Sequence, residues 1–203
     1  MHIAVAGNIG SGKTTLTGLL ARHYNWQPKF EEEDNNPYLL DFYEEMQRWS
    51  FHVQMYFLSK RFEGIVEIKK SNETVIQDRT IYEDACIFAL NLCNMGLMSS
   101  RDFDTYTSLF NIMISLVTPP DLLIYLRSSV PTLVYQIQKR GRDYEAGIRI
   151  DYLTRLNELY EEWIEKYTGR KLVIDVDTVK FNEAPEDLSA VIDKVNAQLY
   201  GLF

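Results

Sequence analysis

A phosphate-binding motif constrains the fold more than any other feature of this sequence. Residues 7 to 14 read Gly-Asn-Ile-Gly-Ser-Gly-Lys-Thr and match the pattern G-x-x-x-x-G-K-[ST]. The apolar run from Ile3 to Ala6 precedes the motif, and a stretch with helical periodicity begins at Lys13. A strand, a glycine-rich turn and a helix start thus follow one another, which is the order that presents backbone N–H groups to a polyphosphate.

The residue types within the motif suit a triphosphate. Glycines leave room for the backbone to approach the phosphates, Lys13 supplies a compact positive charge, and the Thr14 hydroxyl is a ligand for Mg²⁺. We therefore predict nucleotide phosphate binding by Gly7, Asn8, Ile9, Gly10, Ser11, Gly12, Lys13, Thr14 and Thr15.

Composition restricts the class of protein. The chain has 203 residues, and no linker-like segment divides it, so a single domain spanning 1–203 is expected. A net charge of −8 with only 21 Lys and Arg residues argues against nucleic acid as the main partner.

Neither a secretory signal nor a membrane-length apolar run is found, and we expect a cytoplasmic protein with no membrane association. Cys86 and Cys93 lie about 10 Å apart along one predicted helix, too far to bridge, and are expected to be reduced.

Strand-like and helix-like segments alternate along the chain. This alternation predicts an α/β fold with a five-stranded parallel sheet covered by helices on both faces, and ligands at the carboxyl ends of the strands. The predicted strands are 2–6, 28–31, 74–77, 121–126 and 171–176. The predicted helices are 13–23, 37–46, 47–70, 81–95, 101–117, 130–140, 149–168 and 185–199.

Acidic residues follow the second and third predicted strands. Glu31 begins a row of four carboxylates, and one of these acids could accept the proton of an attacking hydroxyl. The row could equally be a solvated acidic loop. Asp78 ends the third strand, where a Mg²⁺-associated carboxylate is expected, and Arg79 is placed to bind phosphate. The alternative for these two residues is a turn that caps the next helix.

Two further groups of polar residues suggest ligand contacts. Gln54 and Arg61 lie on one otherwise apolar face of helix 47–70, where a heteroaromatic base would supply the hydrogen-bond partners that burial removes. The cations of Lys139-Arg140-Gly141-Arg142 are typical of a mobile lid over the phosphates, at about 139–147, although a helix C-terminus also attracts positive charge.

Taken together, these motifs make the chain similar to the deoxyribonucleoside kinases over nearly its whole length. The bacterial deoxyadenosine/deoxyguanosine kinase branch and its deoxycytidine kinase relatives are the most similar. The resemblance rests on the segments 7–14, Asn36-Pro37-Tyr38-Leu39, Trp49 with Phe51 and Gln54, Asp78-Arg79-Thr80-Ile81-Tyr82-Glu83-Asp84, and Lys139-Arg140-Gly141-Arg142. It implies a P-loop nucleoside-kinase fold that phosphorylates the 5′-hydroxyl of a deoxyribonucleoside with ATP and Mg²⁺.

The resemblance also implies catalytic roles. Glu31 occupies the position of the general base at the 5′-hydroxyl. Because Glu32-Glu33 stand where the family commonly has Pro-Val, a shift of one residue would make Glu32 the base. Asp78, together with Thr14, would be associated with Mg²⁺. The transition-state charge would be spread over Lys13, Arg79, Arg140 and Arg142.

Substrate contacts follow from the same resemblance. Gln54 would pair with the nucleobase, and Arg61 with Asp84 match the pair found in relatives that accept adenine, guanine or cytosine. Tyr43 and Asp151 fall on the positions that hold the sugar 3′-hydroxyl. Deoxyadenosine is the first expected substrate, with deoxyguanosine and deoxycytidine as alternatives. The family is typically a homodimer, through helices equivalent to 37–70 or 81–117.

Two other functions are alternatives to a deoxyribonucleoside kinase. A nucleoside monophosphate kinase of the thymidylate kinase type shares the sheet and the P-loop, but would need further arginines for the phosphate of the acceptor. A regulatory GTPase would need an Asn-Lys-x-Asp motif, and the sequence has none.

Overall fold

The computed structural model describes residues 1–31, 35–142, 145 and 147–201. Its centre is one sheet in the order β2-β3-β1-β4-β5, and every neighbouring pair of strands is parallel. The strands are β1 His2–Gly7, β2 Gln27–Lys29, β3 Val75–Asp78, β4 Leu122–Arg127 and β5 Lys171–Asp175. The predicted five-stranded parallel sheet is therefore confirmed.

Helices connect the strands and cover the sheet. In chain order they are α1 Lys13–Tyr24, α2 Leu39–Glu44, α3 Met46–Lys70, α4 Ile81–Glu83, α5 Leu90–Asn94, α6 Ser100–Ile114, α7 Val130–Arg140, α8 Ile150–Lys166 and α9 Pro185–Tyr200, with a π-helical segment Asp84–Ala89 between α4 and α5.

The two faces of the sheet carry separate cores because successive strand residues point to opposite sides. Ile3 and Val5 of β1 belong to a core formed with α1 and α9. Ala4 and Ala6 belong to a larger core that also includes residues of α2, α3, α6 and α8. The prediction that helices cover both faces is confirmed, and the larger core supports the walls of the site described below.

Strand register places the P-loop in the middle of the site. β1 is paired with β3 through Val5 and Asp78, and with β4 through Gly7 and Leu126. The glycine-rich turn that follows β1 therefore leaves the sheet directly beside the carboxyl end of β3. This register makes Asp78 and Arg79 neighbours of the phosphate-binding turn.

Several predicted boundaries were wrong. Strand 28–31 is Gln27–Lys29, because this edge strand pairs only with β3 and ends where that pairing ends. Helix 81–95 is interrupted by the π-helical segment, helix 37–46 is shortened to Leu39–Glu44, and helix 101–117 ends at Ile114.

Cys86 and Cys93 are free thiols, in agreement with the prediction. Within the described part of the chain, no helix combines the length and the apolar character that crossing a bilayer requires.

Candidate active site

Glycines in the P-loop adopt conformations that other residues rarely tolerate. Gly10 and Gly12 have φ values of 84° and 93°. A Cβ atom at Gly10 would lie 2.9 Å from the carbonyl oxygen of Leu133, and one at Gly12 would lie 3.2 Å from a ring carbon of Phe181. The close packing and the positive φ angles explain why glycine occupies both positions.

Lys13 is a buried cation at the centre of this turn. Its Nζ donates a hydrogen bond to the carbonyl oxygen of Asn8 at 3.1 Å. Burial and the positive charge of Arg79 lower the pKa of Lys13 to about 8. A phosphate group would provide a negative charge next to this buried ammonium and would stabilise its charged form, so the site favours binding of an anion.

Thr14 and Asp78 form an oxygen-rich pair beside the turn. The Thr14 hydroxyl donates a hydrogen bond to Oδ2 of Asp78 at 2.6 Å. Oδ1 of Asp78 is buried and has no hydrogen-bond partner among the described residues. Burial raises the pKa of Asp78, and the charge of Lys13 limits the rise. A hydroxyl and an incompletely bonded carboxylate fit a hard divalent cation next to a triphosphate.

Glu31 lies between two arginines. Oε1 accepts a hydrogen bond from Nη2 of Arg61 at 2.6 Å, and Oε2 accepts one from Nε of Arg79 at 2.8 Å. Burial opposes ionisation, but the charges of Arg79, Arg61 and Lys13 outweigh it and hold the pKa of Glu31 well below its ordinary value. The side chain is thus a carboxylate at any ordinary pH and is available to accept a proton.

Arg79 has an unusual backbone conformation for a residue other than glycine, with a φ of 66°. Its backbone N–H donates to the carbonyl oxygen of Val5 at 2.9 Å, which anchors the turn after β3 to β1. Its guanidinium carbon lies 4.5 Å from the centre of the Phe88 ring. A left-handed conformation at a bulky residue persists only where surrounding contacts hold it, and such strain is typical of functional sites.

One cavity of about 400 Å³ extends from the P-loop to the end of α7, and Gly10, Gly12, Lys13, Thr14, Glu31 and Arg79 border it. Asp78 lines a smaller cavity next to it. Leu39, Phe42, Tyr43, Val53, Gln54, Phe57, Asp84 and Phe88 line it away from the phosphate end. Oε1 of Gln54 is buried and has no hydrogen-bond partner within the described part of the chain. Aromatic walls and an unpaired amide oxygen suit a flat heterocycle with hydrogen-bond donors.

Arg61 does not line this cavity among the described residues, but it binds two acids that do, Glu31 and Asp84. Its Nε donates to Asp84 at 3.1 Å, while its Nη2 binds Glu31. Burial raises the pKa of Asp84 to about 6, although the charge of Arg61 opposes the shift. Arg61 lines a separate polar cavity of about 250 Å³ and is not among the described residues that line the main cavity. The group exposed to the main cavity is its partner Asp84.

Comparison with known proteins identifies the family of this chain. The family model for deoxynucleoside kinase matches residues 3–200. The chain belongs to the deoxynucleoside kinase family. The kinase is therefore an enzyme that phosphorylates deoxynucleosides, and this membership decides against the thymidylate kinase type and the regulatory GTPase.

Curated relatives of the kinase act on purine and cytosine deoxynucleosides. The deoxyadenosine/deoxycytidine kinase of Bacillus subtilis (strain 168) is 43% identical over 171 residues, which are 82% of this chain and 78% of the relative. The deoxyguanosine kinase of Lactobacillus johnsonii is 37% identical over 207 residues, covering 97% and 92% of the two chains.

A solved structure shares the fold of the kinase. The deoxyadenosine kinase from M. mycoides, with the products dCMP and a flexible dCDP bound, superimposes with a TM-score of 0.87 at 28% identity. The match covers 97% of this chain and 100% of that one.

Arg140 and Arg142, the arginines of the predicted lid, share a carboxylate that was not predicted from the sequence to be a site residue. Arg140 donates two hydrogen bonds to the buried carboxylate of Glu145, one of them from Nε at 3.1 Å. Nη1 of Arg142 lies 3.6 Å from Oε1 of the same carboxylate. Glu145 also lines the cavity. An acid five residues after Arg140 is the only sequence signal for this arrangement, and such spacings are common by chance.

Asp151 was expected beside the sugar and lies elsewhere. It is in the first turn of α8, where its half-exposed carboxylate pairs with Arg149 at 2.7 Å. It is not among the described residues that line the cavity. The alternative base Glu32 and residues 143, 144 and 146 of the predicted lid lie outside the described residues.

Proposed function

We propose that this kinase transfers the γ-phosphoryl group of ATP to the 5′-hydroxyl of a deoxyribonucleoside, with deoxyadenosine as the first substrate and deoxyguanosine or deoxycytidine as alternatives. The observation that carries the proposal is that Lys13, Glu31 and Gln54 border one cavity. This supports the proposal because Lys13 is a cation for phosphate, Glu31 is an ionised acid, and Oε1 of Gln54 is an acceptor with no partner among the described residues.

ATP would bind with its phosphates on residues 7 to 15, where backbone N–H groups and Lys13 offset the negative charge. Thr14 and Asp78 would hold Mg²⁺ there, which supplies charge neutralisation of the phosphates when bound. If the hydrogen bond between Thr14 and Asp78 breaks, the Thr14 hydroxyl oxygen and Oδ2 of Asp78 both become available to bind the ion. The buried Oδ1 of Asp78 supports this assignment because it lacks a described partner.

Glu31 would accept the proton of the 5′-hydroxyl. Its low pKa makes it a weak base, but phosphoryl transfer passes through a loose transition state in which the hydroxyl proton moves late. An ionised carboxylate at the correct position matters more under those conditions than a strong base. Lys13, Arg79, Arg140 and Arg142 would stabilise the charge on the transferred group.

Hydrogen-bond acceptors in the base-binding part of the cavity favour a base that carries an amino group. Oε1 of Gln54 and the carboxylate of Asp84 are both acceptors, and adenine, guanine and cytosine have exocyclic amino donors that thymine lacks. For the sugar, Tyr43 and Glu145 border the cavity, and we propose Glu145 in place of Asp151 as the acid near the 3′-hydroxyl.

A product assay tests the proposal. The purified enzyme is incubated with MgATP and separately with deoxyadenosine, deoxyguanosine, deoxycytidine and thymidine, and the monophosphates are identified by chromatography and mass spectrometry. We expect dAMP to form fastest and Lys13→Ala to form almost none, which controls for contaminating kinases. Preferential phosphorylation of thymidine, or of deoxynucleoside monophosphates, would contradict the proposal.

We further propose that the protein is cytoplasmic, as expected from the sequence, and that it forms the homodimer that the family resemblance implies. Leu40, Ile112 and Leu116 support the dimer, because each is at least 60% exposed and lies in the segments 37–70 and 81–117. Sedimentation equilibrium tests the proposal, and a monomeric mass at micromolar concentration would contradict it.

A further inference from the structure

Glu83 is a buried acid to which the reaction described above assigns no role. Its side chain is completely buried. Oε2 accepts a hydrogen bond from the backbone N–H of Thr80 at 2.6 Å, which completes a capping box at the start of α4. Oε1 accepts a hydrogen bond from the backbone N–H of Gly7, the first glycine of the P-loop, at 3.2 Å. One carboxylate thus ties the P-loop to the helix that follows Arg79.

Tyr160 of α8 connects this carboxylate to Arg79. Its hydroxyl donates to Oε1 of Glu83 at 2.8 Å and accepts a hydrogen bond from Nη1 of Arg79 at 2.9 Å. Burial and the charge of Glu83 raise the pKa of Tyr160 well above its ordinary value, so the hydroxyl keeps its proton. Because a hydroxyl has a single proton, the bond to Glu83 leaves a lone pair directed at Arg79.

We propose that Glu83 and Tyr160 are positioning residues, which fix the guanidinium of Arg79 relative to the first glycine of the P-loop for phosphoryl transfer. The inference rests on the proposed function, in which Arg79 stabilises the transferred group.

The geometry of Arg79 explains why a second anchor is needed. The Glu31 carboxylate holds only Nε, and a single bond lets the guanidinium plane turn about it. The Tyr160 hydroxyl holds Nη1, and two bonded nitrogens fix the plane of the group. Hydrogen bonds to described residues then occupy Nε and Nη1, and we expect the third nitrogen, Nη2, to contact a ligand in the cavity that Arg79 borders.

Charge supports the same arrangement. Oε1 of Glu83 lies 3.7 Å from Nη1 of Arg79, close enough to attract the cation. Glu31 attracts it from the other nitrogen, so the guanidinium is held between two carboxylates. Removal of the Glu83 side would let Arg79 shift toward Glu31, the proposed base.

The test compares two tyrosine-to-phenylalanine substitutions. Tyr160→Phe removes the hydroxyl that binds Arg79. Tyr125→Phe is the matched control, since Tyr125 is also fully buried, stacks on Tyr160 with ring centres 5.9 Å apart, and bonds the half-exposed Glu161. We expect kcat to fall about tenfold or more in Tyr160→Phe, with both KM values within about twofold, and to stay near wild type in Tyr125→Phe. Equal kcat values in the two variants would overturn the proposal.

A double-mutant cycle shows whether Tyr160 acts through Arg79. In an Arg79→Lys background the ammonium cannot reproduce the two anchored nitrogens, so Tyr160→Phe should lower kcat by less than about twofold there. A full tenfold loss in that background would show that Tyr160 acts by another route, and would overturn the proposal. Glu83→Gln, which replaces one acceptor oxygen by a donor, should lower kcat at least as much as Tyr160→Phe.

Wild-type turnover and the variant ratios answer separate questions. All variants are assayed with the deoxynucleoside and the triphosphate that the wild-type enzyme uses fastest. The wild-type product panel decides the proposed substrates. The ratio of the two tyrosine variants, with thermal unfolding of both as a control for folding, decides the positioning role.

Discussion

Glu31 shows how one side chain combines two opposing requirements. A proton acceptor must be ionised, and burial in a mostly apolar cavity would keep it neutral. Arg61 and Arg79 solve this problem by hydrogen bonding to one carboxylate oxygen each. The pairing keeps the acid charged in a buried site, at the expense of base strength.

Replacement of Glu31 by glutamine tests its role directly. An amide of the same shape cannot accept the proton, so kcat should fall by about 10² or more while the affinity for ATP changes little. Steady-state kinetics and direct nucleotide binding measure the two effects. Glu32→Gln is the matched control for the register of the acidic row: a larger loss in Glu32→Gln than in Glu31→Gln would transfer the role to Glu32.

Asp84 should make substrate binding depend on pH. Its pKa in the free protein is raised to about 6, so the side chain is a carboxylate above pH 6 and is protonated below it. A protonated carboxyl presents a donor to the amino group of the base, which is also a donor. We therefore expect KM for deoxyadenosine to rise about tenfold between pH 7 and pH 5, as one protonation below the pKa requires. In Asp84→Asn, KM should be higher and independent of pH in this range, and a persisting rise would assign the titration to another group.

Local sequence does not determine which acid faces the cavity. Glu145 lines the cavity, whereas Asp151, the predicted sugar contact, is not among the described residues that line it. Glu145 and Asp151 are six residues apart, and each has an arginine two or three residues before it. The structure buries Glu145 against Arg140 and Arg142 and leaves Asp151 at the exposed start of a helix, where an acid is favourable for the helix dipole.

These two acids give a paired prediction. Glu145→Gln should raise KM for the deoxynucleoside by about tenfold or more, because the cavity loses an anionic acceptor and the lid arginines lose their partner. Asp151→Asn should change the same KM by less than about twofold. Initial-rate kinetics on both variants measure the difference. The opposite ranking would restore Asp151 as the sugar contact.

The P-loop gives a prediction about stability. Gly10→Ala places a methyl group 2.9 Å from a backbone oxygen at a φ of 84°, and should lower the free energy of unfolding by about 1–3 kcal/mol. Gly18→Ala in α1 is the matched substitution: among the described residues its methyl group would meet only a Phe30 ring carbon at 3.8 Å, and it should raise the free energy of unfolding by about 0.5–1 kcal/mol. Urea titration measures both, and a stabilising Gly10→Ala would contradict the described geometry.

Elements with a periodic pattern could be predicted from the sequence, whereas contacts between distant elements could not. The sheet could be predicted from the P-loop and from short apolar runs that alternate with helical segments along the chain. A parallel strand that is buried on both faces requires a nearly continuous apolar run. The π-helical segment has no such signal, since one extra residue in a helical turn hardly changes the periodicity. Likewise, the pairing of Glu31 with Arg61 joins residues 30 positions apart through packing of α3 on the sheet.

At the scale of the whole molecule, the two faces of the sheet have different roles. One face carries the candidate site, and the core on the other face stabilises the fold. The larger core, which includes Val53, also forms walls of the cavity. The second core, which includes Val195 of α9, packs against the other face. Both valines are completely buried.

The same substitution on the two faces should therefore have different effects on function. Val53→Ala and Val195→Ala should each lower the free energy of unfolding by about 1–3 kcal/mol through the cavity that they leave. Only Val53→Ala should also raise KM for the deoxynucleoside, because only that residue borders the substrate cavity. Denaturant unfolding and initial rates measure the two effects, and a comparable KM change in Val195→Ala would contradict the separation of the faces.

The pairing of Val5 with Asp78 also limits how the length of this gene product can vary during evolution. A codon inserted within β3 would turn Asp78 to the opposite side of the sheet, away from Thr14, because side chains alternate along a strand. A codon inserted at the exposed turn around Ser71 to Glu73 would leave that alternation unchanged. Insertions and deletions among descendants should hence accumulate in the turn and be absent from the four residues that follow Thr74.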